Sequence, residues 1–83
     1  MRVDFTPIGW EDYLSWQQDK AHLDRVNRLI NDMQRGPFEG IGKPERLRNN
    51  LAGLWSRRIN EEHRLVYKVE GDDIVILQAR SHY

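Results

Sequence analysis

Three side chains in this sequence have the types that one reaction needs. Glu45 stands among cations in Lys43-Pro44-Glu45-Arg46-Leu47-Arg48. Arg64 closes the charged run Glu61-Glu62-His63-Arg64, and His82 stands next to last in the chain. Cleavage of RNA by its own neighbouring 2′-hydroxyl needs a base for the 2′-OH proton. It needs an acid for the 5′-oxygen leaving group, and fixed positive charge on the crowded phosphorus between them. A carboxylate, an imidazole and a guanidinium suit those three jobs. The assignment is consistent without being unique.

Each group also has a plainer reading. Glu45 belongs either to a solvated charged loop or to a positive pocket, where neighbouring cations favour the ionised carboxylate of a general base. Arg57-Arg58 and Glu61–Arg64 flank a turn, where they form exposed cross-strand ion pairs of small worth or present guanidinium groups to phosphate. His22 reads as surface decoration on a helix, and His63 as a hydrogen-bonding residue in a turn. Arg80-Ser81-His82-Tyr83 is either a fraying tail or a functional end. Trp10, Trp16 and Trp55 are possible stacking platforms for bases. Spacing favours core packing for Trp10 and Trp55 and leaves Trp16 open.

Composition excludes other chemistries. The 83 residues contain no cysteine, so disulfide scaffolds, thiolate metal sites and cysteine nucleophiles are absent. No His-x-x-x-His or clustered carboxylates suggest a metal. Gly40-Ile41-Gly42-Lys43 lacks the spacing of a phosphate-binding loop. No apolar run approaches a membrane span, and Met1–Phe5 lacks the apolar stretch of a secretory signal. A cysteine-free chain suits a reducing cytoplasm. Thirteen Lys/Arg balance thirteen Asp/Glu. The balance is uneven along the chain, however. Residues 43–64 carry six cations against three carboxylates, a local excess of +3. Local patches attract phosphate, whatever the total charge.

The elements that must hold these groups can be read in outline. Residues 1–83 are long enough for one small domain. Arg2–Phe5 alternates like a strand. Thr6-Pro7 starts a helix that runs to about Gln18. Asp19 caps a second helix, with Leu23, Val26, Ile30 and Met33 on one stripe and Gly36-Pro37 at its end. Pro37–Glu45, with two prolines and two glycines, reads as a loop without regular structure. Leu47, Leu51 and Leu54 suggest a helical turn. Trp55–Ile59, Arg64–Glu70 and Ile74–Arg80 read as strands, the last two joined at Gly71-Asp72-Asp73. The expected fold is α+β: two N-terminal helices packed on a small, mainly antiparallel four-stranded sheet. The position of the first strand in that sheet is left open.

Four blocks carry a resemblance. They are Pro37-Phe38-Glu39-Gly40-Ile41-Gly42-Lys43-Pro44-Glu45, Trp55-Ser56-Arg57-Arg58-Ile59, Glu61-Glu62-His63-Arg64-Leu65-Val66-Tyr67 and His82-Tyr83. In this order and spacing the chain resembles the YoeB toxins, within the RelE superfamily of toxin–antitoxin systems. The resemblance implies a microbial-RNase-like, RelE-type fold. It implies mRNA cleavage in the A site of the 70S ribosome, without metal or cofactor. It also implies neutralisation by a YefM-type antitoxin, and extends to a possible homodimer. Carried over by position, Glu45 would be the general base, Arg64 the transition-state cation, His82 the general acid and Tyr83 a positioning residue. Lys43, Arg48, Arg57, Arg58 and Glu62 would shape the RNA site. Relatives commonly carry proline at Arg46 and lysine at Arg48, so loop rigidity and RNA contact could differ here. Ribosome docking would explain why the whole chain need not be basic. The competing expectation is a non-catalytic module that blocks translation by occupying the ribosome or a protein partner.

Overall fold

The computed structural model describes residues 1–81. Its elements are β1 (Arg2–Phe5), α1 (Pro7–Ser15), α2 (Lys20–Arg35), β2 (Glu45–Arg46), a 3-10 turn (Asn49–Leu51), β3 (Trp55–Arg58), β4 (Arg64–Glu70) and β5 (Asp73–Ser81). The expected α+β architecture is present, with five strands instead of four. The additional strand is β2, which pairs antiparallel with β3 through Glu45↔Ser56 and Arg46↔Trp55. Two polar residues have no alternation to read, so β2 is invisible in the sequence. The helical turn expected over Leu47–Leu54 is present as a short 3-10 turn.

The helix starts follow from their caps. The Thr6 hydroxyl accepts the Gly9 N–H at 3.0 Å, and Pro7 takes the first helical position. The Asp19 carboxylate accepts the His22 N–H at 3.2 Å. That hydrogen bond, with the His22 ring, holds the Asp19 carboxyl below its ordinary range. Val26, Leu29 and Met33 on α2 are fully buried. They meet Leu65 and Tyr67 of β4 and Ile74 and Ile76 of β5 in the core.

The sheet order is β1-β5-β4-β3-β2, with β1 parallel to β5 and the other pairs antiparallel. That places the first strand, which sequence could not place, at one edge. Glu70↔Asp73 closes the β4–β5 hairpin over two residues. Gly71 takes the positive φ (60°) that the first residue of such a turn requires.

One tryptophan departs from expectation, and the one left open finds its place. Trp16 is the core one, 3% exposed, whereas Trp10 is 47% exposed. Trp10 lies over Tyr13 and meets the edge of Phe5 instead. Trp55 is half-buried against Phe38, with the Arg46 guanidinium 5.7 Å from its ring centre.

Candidate active site on the open face of the sheet

Strand alternation sorts the basic region into two faces. Along β3 and at the residue after it, Trp55, Arg57 and Ile59 turn toward the core, so Ser56 and Arg58 turn away from it. On β4, Leu65 and Tyr67 are fully buried in the core, so Arg64 and Val66 share the opposite face. Register then aligns them. Arg58 pairs with Arg64, and Arg64 pairs with Ser81 on β5. One row of the sheet therefore runs Arg58, Arg64, Ser81, and His82 follows Ser81 in the chain. The neighbouring row runs Glu45, Ser56, Val66. Ser56 and Val66 are buried and form a floor. Glu45 stands exposed at its rim, and Arg64 is half-buried beyond it. Strand spacing and rise put the Cα atoms of Glu45 and Arg64 about 12 Å apart on one face.

The remaining expected residues fall unevenly around this face. Arg58 is exposed within the row. Lys43 is exposed, with a left-handed backbone (φ 52°) that turns the chain into β2. Arg48 is exposed just before the 3-10 turn. Glu62 is exposed beside His63, with 3.5 Å between its carboxylate and the imidazole. Asn60 shapes that turn by accepting the N–H groups of Glu62 and His63. His22 is more than decoration. It stacks on Trp16, and its two ring nitrogens meet Asp19 and Asn60. His82 and Tyr83 lie outside the described residues.

Arg57 corrects the expectation of an RNA-binding side chain. It is fully buried on the core face. Its five N–H donors all have partners inside the protein. Nε–H donates to the Tyr67 hydroxyl at 3.2 Å. Nη1 donates to Asp32 at 2.6 Å and to the Ile41 carbonyl at 3.2 Å. Nη2 donates to the carbonyls of Gly36 and Glu39 at 2.7 and 2.9 Å. Tyr67 in turn donates its O–H to the Pro37 carbonyl at 2.5 Å. The loop expected to be irregular is thus held from within. Gly40 approaches Asp32 so closely that a Cβ would collide with its carboxylate. The loop ends where the Gly42 carbonyl accepts the Arg58 N–H at 2.7 Å, just before Lys43 and Glu45.

Asp32 and Tyr67 escaped the sequence reading. Asp32 sits beside the apolar stripe of α2, and Tyr67 sits within a run of β-formers, so neither announces a polar role. The hydrogen bond from Arg57, and then that from the Ile41 N–H, holds the Asp32 carboxyl below its ordinary range. Burial pushes the Tyr67 phenol above its ordinary range, with Arg57 opposing. Among the described residues, no group of three His, Asp or Glu side chains is arranged to hold a metal ion.

The family described as YoeB-like toxin of bacterial type II toxin-antitoxin system matches residues 5–83. The chain belongs to that family. It is 56% identical to a toxin YoeB of Streptomyces coelicolor over 84 aligned positions, covering 100% of both chains. A YoeB/ParE toxin from Agrobacterium tumefaciens superposes with a TM-score of 0.94 at 44% identity, covering 100% of each chain. YoeB of Staphylococcus aureus, solved as a dimer and as a heterotetrameric YoeB-YefM complex, superposes with TM-scores of 0.91 and 0.90. Both matches are at 46% identity and cover 100% of this chain and 98% of that one. The chain is accordingly a toxin of a type II toxin–antitoxin system. No described helix is long and apolar enough to cross a membrane.

Proposed function

We propose that this toxin is an endoribonuclease that cuts mRNA in the ribosomal A site and so stops translation. The observation that carries the reading is the register of the sheet. Arg58, Arg64 and Ser81 share one row, Glu45 lies diagonally across a buried floor on the same face, and His82 comes next in the chain. Glu45 takes the 2′-OH proton as O2′ attacks phosphorus. Arg64 stabilises the extra charge on the phosphoryl oxygens. The P–O5′ bond breaks, and His82 gives its proton to O5′. Tyr83 positions the substrate. Lys43, Arg48 and Arg58 hold the RNA backbone, and Glu62 borders them. Every step uses side chains of this chain.

The partners follow from the same reading. They are the 70S ribosome with its mRNA, a YefM-type antitoxin, and a second copy of the chain in a homodimer, all in the cytoplasm. The YoeB of S. aureus, which forms both a dimer and a YefM complex, supports the last two. An antitoxin that neutralises this face covers the loop of residues 36–48 and the end of β5.

Primer extension on an mRNA in a translating extract tests the proposal, with protein well below ribosome concentration. Position-specific cuts that disappear in His82→Ala are expected. Absence of cuts, with translation blocked only near one protein per ribosome, would replace the nuclease with an occupancy inhibitor.

A further inference from the structure

β1 accompanies β5 only as far as Phe5↔Ile76. Beyond that point the outer edge of β5 belongs to α1 and its cap. The Thr6 N–H donates to the Ile76 carbonyl at 3.0 Å, and the Thr6 hydroxyl donates to the Leu77 carbonyl at 3.1 Å. Gly9 lies so close that a Cβ would run into the Ile76 carbonyl oxygen. The Asp12 carboxylate accepts the Ala79 N–H at 3.0 Å. The Trp16 indole N–H donates to the Ala79 carbonyl at 2.7 Å. Thr6, Gly9, Asp12 and Trp16 form one stripe along the helix. Through the last two, side chains engage both backbone groups of Ala79, as a neighbouring strand would. The grip continues at the next residue. The Arg80 guanidinium carbon lies 3.7 Å from the Trp16 ring centre, and its Nε–H donates to the Ser15 hydroxyl at 2.9 Å.

Edge strands need such cover to avoid pairing with other chains. Edge protection alone, however, does not account for where the grip concentrates. Fully buried Ala79 and its partner Trp16 stand directly before the segment that carries the acid. We propose that Asp12 and Trp16 are positioning residues for His82. By holding both backbone groups of Ala79, they fix the end of the strand that His82 follows in the chain. This inference rests on His82 being the general acid of the proposed nuclease.

The test uses the full chain on ribosomes programmed with a defined A-site codon, under single-turnover conditions. Asp12→Ala removes the acceptor, and Trp16→Phe removes the donor while keeping a ring under Arg80. Each is expected to slow cleavage by about tenfold or more, within the range a general acid contributes. Affinity for the ribosome should stay within about twofold, since the cationic face is untouched. Asp12→Asn keeps an oxygen acceptor and restores most of the rate. The deciding comparison places sulfur at the 5′-bridging position of the scissile bond. The P–S bond then breaks to release a thiolate, which needs no proton. The Asp12→Ala defect should largely disappear on this substrate. An equal defect on the oxygen and sulfur substrates would overturn the proposal, because the acid is then not what was misplaced. So would full-rate cleavage by Asp12→Ala with the Ala79 amide exchanging freely. Wild-type cleavage by His82→Ala would instead overturn the underlying assignment of the acid.

Discussion

Arg57 on β3 and Asp32 on α2 form an ion pair 2.6 Å long, with the guanidinium fully buried and the carboxylate 24% exposed. It joins the sheet to the second helix at the point where the chain leaves that helix for the loop before Glu45. A buried guanidinium is tolerable only when paired and fully hydrogen-bonded. Here the loop backbone supplies the acceptors that Asp32 and Tyr67 do not.

Breaking this hub should cost stability before it costs anything else. Arg57→Ala leaves Asp32 and several carbonyls without their donor, and about 3–5 kcal/mol of loss is expected. Arg57→Lys, with fewer donors and no planar fork, should recover only part of it. Tyr67→Phe removes one hydroxyl that both donates and accepts, at a cost of about 1–3 kcal/mol. Urea unfolding of the three variants measures these losses. An Arg57→Ala protein as stable as the wild type would refute the structural role and reopen a role in RNA binding.

The hub also sets two pH dependences. The folded state lowers the Asp32 pKa, so its contribution is present above the unfolded value near 4 and fades as pH falls through the folded value. The stability gap between wild type and Asp32→Asn should therefore narrow in acid. The folded state raises the Tyr67 pKa. Its contribution is complete below about pH 10 and is lost as pH rises through the folded value. Tyr67→Phe should flatten that alkaline limb. Chemical denaturation across pH, with each variant beside the wild type, checks both signs.

Gly9 fixes how closely α1 sits on β5. Its φ is ordinary for a helix, so the constraint is space rather than conformation. Gly9→Ala places a methyl group against the Ile76 carbonyl and should destabilise the fold by about 1–3 kcal/mol. Thermal unfolding reads this directly, and an unchanged midpoint would mean that the helix can move outward without cost.

The open face should behave differently from the hub. Glu45→Ala and Arg64→Ala are expected to lose cleavage by about 100-fold or more, with little change in unfolding for exposed Glu45. Arg58→Ala and Lys43→Ala should weaken binding more than chemistry and reduce its salt dependence by about one ion each. Titrating ribosome binding against salt, alongside single-turnover cleavage, separates the two groups.

Local chemistry made much of this protein legible in its sequence. The caps at Thr6 and Asp19, the apolar stripe of α2, the hairpin at Gly71-Asp72 and four strands all follow from contacts within a few residues. The motif blocks also pointed to the toxin family and to the residue types of the proposed site. Only the tertiary structure decided which neighbours those residues would have. Arg57 and Arg58 are adjacent in sequence and chemically identical. Strand alternation sends one into the core and the other to the open face, and it takes the position of α2 and the loop to make the first choice affordable. β2 exists because β3 offers it a partner, Trp16 is buried because β5 offers a carbonyl, and β1 lies at an edge that no periodicity encodes. Each depends on groups far apart along the chain, whose hydrogen bonds and burial are settled only when the elements pack.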